Sequence, residues 1–239
     1  GFNDQTHTLE FSSVALNSLY ALDTELMVMI SREIGLTTEA DRWQARYDEL
    51  KRLMNEKLWS EADGVYLDRH WDGRFARRVT LDSFYPLLAG IPDEAKAKRM
   101  LAVLHDPKKF WGDHLLPSIA RNDPLFAGNA SGQTLAGGAI HAATNYLLYA
   151  GLKRYGFYQE ASELARKSTA LARSCFEKPA DKASTKGGRL FDLFSSLTGQ
   201  PIDGELSSQH ASFGSQSFSG QSFAGQSFTG MMFLPGLEE

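Results

Sequence analysis

The residues able to do nucleophilic, metal or acid–base chemistry each have a plainer reading beside the functional one. Cys175, the single cysteine, shares an apolar stripe with Leu171 and Ala172 and reads as buried and inert. Being alone it makes no internal disulfide, and neither Cys–His nor Ser–His–Asp catalysis has support. No second His or Cys stands at ligand spacing from His141, so no metal site is expected. No Gly-rich loop sits at a strand–helix junction, so no phosphate cradle and no cofactor is expected. Arg69, Arg74, Arg77 and Arg78 read as a solvated hairpin face, and Trp43, Trp59 and Trp111 as core or loop anchors.

Composition narrows the classes further. The chain has 239 residues with 25 Lys+Arg against 29 Asp+Glu, a net charge of −4 that offers no footprint for nucleic acid or anionic lipid. At 42% apolar and 23% charged residues, disorder of the whole chain is excluded. No apolar run is long enough to span a membrane. No signal peptide is visible at the start, so a cytoplasmic placement is expected, although Gly1 in place of Met reads as a boundary rather than a native start.

The elements that must position any site are helical. Val14, Leu19, Leu22, Leu26, Met29 and Ile30 recur at three- and four-residue steps and predict a helix over 11–34. Thr38 is expected to cap a second over 39–58. Asp63-Gly64 marks a turn, and Val65–Leu67 is expected to pair with Phe75–Val79 around Asp72-Gly73. Short helical segments follow at 80–89 and 93–105, a loop at 106–136, and helices at about 138–155 and 158–176. The reading is all-α, with consecutive antiparallel pairs joined by short links.

Several segments carry a resemblance. These are Asp63-Gly64-Val65-Tyr66-Leu67-Asp68-Arg69, Ser83-Phe84-Tyr85-Pro86-Leu87-Leu88-Ala89-Gly90-Ile91 and Asp106-Pro107-Lys108-Lys109-Phe110-Trp111. Leu116-Pro117-Ser118-Ile119-Ala120-Arg121-Asn122-Asp123-Pro124 and the stretch from Thr144-Asn145-Tyr146 to Gly156 continue the series. In this order they resemble the catalytic domain of glycoside hydrolase family 63, over about residues 1–200. The resemblance implies an (α/α)6 toroid of six inner and six outer helices, and inverting hydrolysis of α-linked sugars of the α-glucoside or mannosylglycerate type. Two carboxyl groups about 6.5–9.5 Å apart would then flank the glycosidic bond.

By the same resemblance the general acid falls on Asn3 within Gly1-Phe2-Asn3-Asp4, and Asp4 is the neighbouring carboxyl. The general base falls on Asp192, seven residues before Gly199, where the family has Glu. Asp is one methylene shorter, while a base must come within about 2.6–3.2 Å of its water or reach it through another. The family's aromatic–Trp–Arg–Gly segment reads here Leu135-Ala136-Gly137-Gly138, and His141 stands where the family has Trp. Asn3, Trp71, Asp82, Tyr85, His141 and Asn145 are the substrate-binding candidates that the resemblance implies. A non-catalytic helical scaffold or carbohydrate-binding remnant is the alternative.

The expected divisions are a partial toroid domain at 1–206, a Gly/Ser/Phe repeat of period five at 207–230, and a remnant of a closing helix at 231–239. With six or seven helices, half a ring is expected. Its exposed apolar faces call for either a homo-oligomer or a missing N-terminal half.

Overall fold

The protein, described by a computed structural model, is defined at residues 2, 3, 5, 8–128, 134–177 and 192–202. Asp4, the 207–230 repeat and the 231–239 segment lie outside the described residues, as do the side chains of Asn3 and Cys175.

Local chemistry sets the helix starts. The Ser13 hydroxyl accepts from the Leu16 N–H (3.3 Å), and the Val14 N–H donates to an Asp68 carboxylate oxygen (2.7 Å). These bonds fill donors that α1 (Val14–Glu33) would otherwise leave open. Helix α2 (Thr37–Lys57) follows Leu36, which makes no side-chain cap, so Thr38 lies in the first turn rather than capping it. A 3-10 turn (Leu81–Phe84) runs into α3 (Tyr85–Leu88). Asp93 caps α4 (Glu94–His105) through the Lys96 N–H at 2.8 Å. Helices α5 (Ala142–Arg154) and α6 (Tyr158–Glu177) complete the set.

The strands are two-residue pieces, all in antiparallel pairs: β1 (Phe2–Asn3) with β2 (Thr8–Leu9), β3 (Phe11–Ser12) with β6 (Arg69–His70), β4 (Trp59–Ser60) with β5 (Val65–Tyr66), and β7 (Ile140–His141) with β8 (Leu193–Phe194). The turn at Asp72-Gly73 forms, but in a different register from the expected one. Residues 68–70 return along 74–76, with Ala76 N–H to Asp68 C=O at 2.8 Å and His70 N–H to Arg74 C=O at 2.8 Å. Val65 and Tyr66 cannot join that hairpin because they already pair with Ser60 and Trp59 across the Asp63-Gly64 turn.

The helices form two rows. In the inner row α1 packs on α3 and α3 on α5. The Arg154 guanidinium ties the row together, donating to both oxygens of Glu25 at 2.5 and 2.6 Å. In the outer row Lys96 of α4 donates to Asn55 of α2 (2.7 Å), and His105 of α4 lies 3.7 Å from Glu160 of α6. Met54, Phe84, Met100, Leu104, Phe110, Leu148 and Leu164 are buried in the core. The short links at 34–36 and 155–157 make α1/α2 and α5/α6 antiparallel hairpins. Among the described residues the architecture is all-α, with α1/α2, α3/α4 and α5/α6 following one another as helical pairs in an arc.

Candidate active site

The N-terminal ends of α1, α3 and α5 meet one set of extended segments. Thr80 forms a bridge with Ile119, the Leu81 N–H donates to Ser118 C=O, and the Ala120 N–H to Val79 C=O. The Ser118 N–H then donates to Ala139 C=O (3.0 Å), Ile140 pairs with Phe194, and the Ala142 N–H donates to Asp192 C=O (3.1 Å). This ladder joins the start of the 3-10 turn to the start of α5 and to the Asp192 segment. Three strand spacings of ~4.8 Å put the Thr80 and Phe194 backbones on the order of 15 Å apart.

Asn145 holds the ladder from inside. It is fully buried, its side-chain oxygen accepts from the Leu116 N–H (3.1 Å), and its amide donates to Leu116 C=O (3.1 Å) and His141 C=O (3.0 Å). Its polar atoms are thus committed to backbone, and its place is behind the site. Asn145→Ala removes three hydrogen bonds and leaves buried backbone groups open, so a loss of about 3 kcal/mol is expected in urea unfolding. A variant as stable as the wild type would contradict this.

A cleft of about 470 Å³ opens beside this ladder, lined by Asp68, Ala76, Arg77, Arg78, Thr80, Asp82, Ser83, Asp123 and Pro124. Arg78 and Asp123 pair across its mouth at 3.2 Å. Burial pushes the Asp82 carboxyl above its ordinary range, and the neighbouring Asp68 charge adds to the rise, against a hydrogen bond from Tyr85. Burial likewise raises Asp68, opposed by the Val14 N–H bond. Tyr85 is buried, and its hydroxyl is raised chiefly by burial and then by Asp82.

A carboxyl raised in the folded state favours folding fully below its unfolded value, ordinarily 3.8, and loses that contribution as pH rises through the folded value. Asp82→Asn is therefore expected to be more stable than the wild type at pH 7 and to lose less stability between about pH 4 and 7. Urea midpoints at both pH values measure this, and parallel pH profiles for the two proteins would contradict it.

Of the residues read from sequence, Asp82 lines this cleft, Tyr85 bonds to Asp82, and Asp192 stands exposed at the far end of the ladder. His141 is half-buried at the α5 N-cap, with its carbonyl accepting from Thr144 (3.0 Å) and Asn145. Trp71 is 81% exposed at the tip of the 68–76 hairpin, held through its N–H to Glu10 C=O (3.2 Å). Asn3 contributes backbone to the β1–β2 pair, opposite Thr8.

Sequence reasoning left out Asp68, Arg77, Arg78 and Asp123 as site residues. Asp68 lies inside the quoted Asp63–Arg69 motif, which was its only signal. Phe126 was also left out. Its ring lies where a Cβ at Gly138 (φ +96°) would be, 2.5 Å away, so this turn accepts only glycine while Phe126 fills the space. Among the described residues no cluster of three His, Cys, Asp or Glu could hold a metal, and no helix is long and apolar enough to cross a membrane.

Comparison with known proteins gives a consistent result. The family model of the mannosylglycerate hydrolase MGH1-like glycoside hydrolase domain matches residues 3–206. A mannosylglycerate hydrolase of Rubrobacter radiotolerans is 27% identical over 166 residues, covering 69% of this chain and 36% of that protein. A protein of Borreliella burgdorferi is 24% identical over 153 residues, covering 64% of this chain and 31% of its own length. The chain thus spans about a third of the length of these curated relatives. Among solved structures, the family 63 mannosylglycerate hydrolase of Thermus thermophilus in complex with glucose has a TM-score of 0.63 at 22% identity, over 82% of this chain and 44% of that one. The neutral trehalase of Saccharomyces cerevisiae has a TM-score of 0.63 at 14% identity, over 80% and 35%. The arc of helical hairpins is therefore a segment of an (α/α)6 toroid.

Proposed function

This chain belongs to the mannosylglycerate hydrolase MGH1-like glycoside hydrolase domain family, and from that premise we propose that it binds an α-linked sugar at the N-terminal ends of α1, α3 and α5 and hydrolyses it with inversion. Asp192 acts as general base on the attacking water and Asp4 as general acid on the leaving oxygen. The observation that carries this reading is the backbone ladder, which gathers the Asp82 cleft and the Asp192 segment at one end of the inner row. Inversion would require the two carboxyl groups to stand about 6.5–9.5 Å apart.

The substrate class is an α-mannosyl-glycerate or α-glucoside. The Rubrobacter radiotolerans relative supports the first, and the glucose held by the Thermus thermophilus neighbour the second. Trp71, 81% exposed, offers a platform for a sugar ring, and Asp82 lines the cleft.

One observation favours a second reading for the acid. An amide at Asn3 cannot donate a proton, whereas Asp82 has the raised carboxyl that a general acid needs and already lines a cleft. In that reading Asp82 replaces Asp4 as donor.

The test is sugar release from mannosylglycerate and from α-glucosides by the wild type, Asp192→Ala, Asp4→Ala and Asp82→Ala. Release that Asp192→Ala abolishes supports the proposal, and the acid is whichever of Asp4 and Asp82 cannot be removed. No release by the wild type would leave the non-catalytic scaffold as the better reading.

A further inference from the structure

Asp68 lines the cleft, yet the hydrolytic reading gives it no task. It is also where three pieces of chain meet. Its backbone carbonyl accepts from the Ala76 N–H (2.8 Å) and closes the 68–76 hairpin. The next residues, Arg69 and His70, pair with Ser12 and Phe11, and the Trp71 N–H donates to Glu10 C=O. The chain entering α1 therefore lies along this hairpin. The Asp68 carboxylate then takes the first N–H of α1, that of Val14, at 2.7 Å.

These bonds make the two carboxyl groups Asp68 and Asp82 unequal. The Val14 N–H opens a helix of 20 residues, and the positive end of that helix favours a negative partner. A backbone N–H given to a carboxylate stabilises its charged form. Asp82 sits in the short 3-10 turn Leu81–Phe84 and has the neutral hydroxyl of the buried Tyr85 as its hydrogen-bonding neighbour. The other charged or titratable groups around the pair are Arg77, Arg78 and Asp123 in the cleft lining and His70 on the strand after Asp68. Arg78 is committed to Asp123 at 3.2 Å, and Arg77 is exposed, where water and salt screen it. Two carboxyl groups in one cleft repel each other when both are ionised, so they lose their protons in separate steps.

We propose that Asp68 and Asp82 form an acid pair in which Asp68, held on the N-terminus of α1, carries the negative charge and thereby keeps the proton on Asp82. Asp68 is then a positioning residue that acts through Asp82. For its catalytic meaning this rests on the reading in which Asp82 is the proton donor, but the order of ionisation is measured without turnover.

Carbon NMR of the whole chain, labelled at the aspartate carboxyl carbons and titrated from about pH 3 to 8, reads that order. Each signal is assigned through bonds to its own Cβ. Asp68 is expected to ionise first and Asp82 after it. In Asp68→Asn, which keeps an acceptor for the Val14 N–H, the ionisation constant of Asp82 is expected to rise about threefold or more. An Asp82 titration left in place by Asp68→Asn would overturn the proposal. So would Asp68 ionising after Asp82 in the wild type, an outcome that needs no variant to fold. Where the wild type releases sugar, the fall of kcat/KM at high pH is expected to move to lower pH in Asp68→Asn. A rate lowered by the same factor at every pH would assign Asp68 to the fold alone and overturn the proposal. The expected order of ionisation without any sugar release would defeat the hydrolytic reading and leave the acid pair standing.

Discussion

Gly151→Val is expected to cost about 3 kcal/mol or more, the upper end of what overpacking a core does. In a domain of this size that lowers the thermal midpoint by roughly 6–12 °C. A Cβ on Gly151 would lie 2.9 Å from the Leu88 backbone nitrogen, 3.0 Å from Leu87 Cβ and 3.3 Å from the Leu87 carbonyl carbon. Two of these three neighbours are backbone and cannot swing aside. They belong to α3, so α3 and α5 approach closely at this residue. A mid-helix glycine costs about 1 kcal/mol against alanine, and here close packing of α3 on α5 is what that cost permits. Even Gly151→Ala, which gains helix propensity, is expected to lose stability. Since α3 carries Tyr85 and continues from the 3-10 turn that holds Asp82, any separation of α3 from α5 also moves the cleft wall relative to Asp192. Denaturant unfolding of both variants measures this, and a Gly151→Ala protein more stable than the wild type would show that α3 and α5 are not in such close contact.

Asp192→Asn is expected to lower turnover by about 10²–10⁴-fold, the usual worth of a positioned general base. KM should hardly change, because in the proposed role the carboxylate acts on the attacking water in the transition state rather than on bound sugar. Stability should also hold, since the Asp192 side chain is exposed and the backbone carbonyl that anchors the segment to Ala142 remains. Asp192→Glu adds one methylene of reach to the proposed base, and faster turnover than the wild type is expected. Initial rates and thermal midpoints of the three proteins separate this from a structural role. An Asp192→Asn protein that loses stability in step with activity would place Asp192 in the fold rather than in the chemistry.

Much of the fold was legible because helical periodicity is a local property. The helices at 14–33, 37–57, 94–105, 142–154 and 158–177 lie within a few residues of where the apolar spacing puts them. What periodicity does not reveal is which face is covered. The Leu19, Leu26, Met29 and Ile30 stripe of α1 reads as a core face, yet each of these residues is exposed, and α1 meets its neighbours instead through Ser18, Ala21, Thr24 and Val28. Small residues let helices approach closely and leave no hydrophobic signal. The site was less legible still. Asp82 and Asp192 were found through resemblance, whereas the ladder from Thr80 through Ile119 and Ala139 to Asp192 joins residues far apart in sequence by single backbone bonds. Such bonds leave no periodic trace. Nor was the role of Asn145 readable, since only its burial and its bonds to Leu116 and His141 show that it holds backbone.

The hydrolysis proposed for the carboxylates at the N-terminal ends of the inner helices proceeds with inversion at the sugar carbon. The most direct test is proton NMR of the first sugar released from α-mannosyl-glycerate, recorded before mutarotation. The β-anomer is expected as the initial product, with none formed by Asp192→Asn. Initial release of the α-anomer, or no release by the wild-type chain, would contradict it.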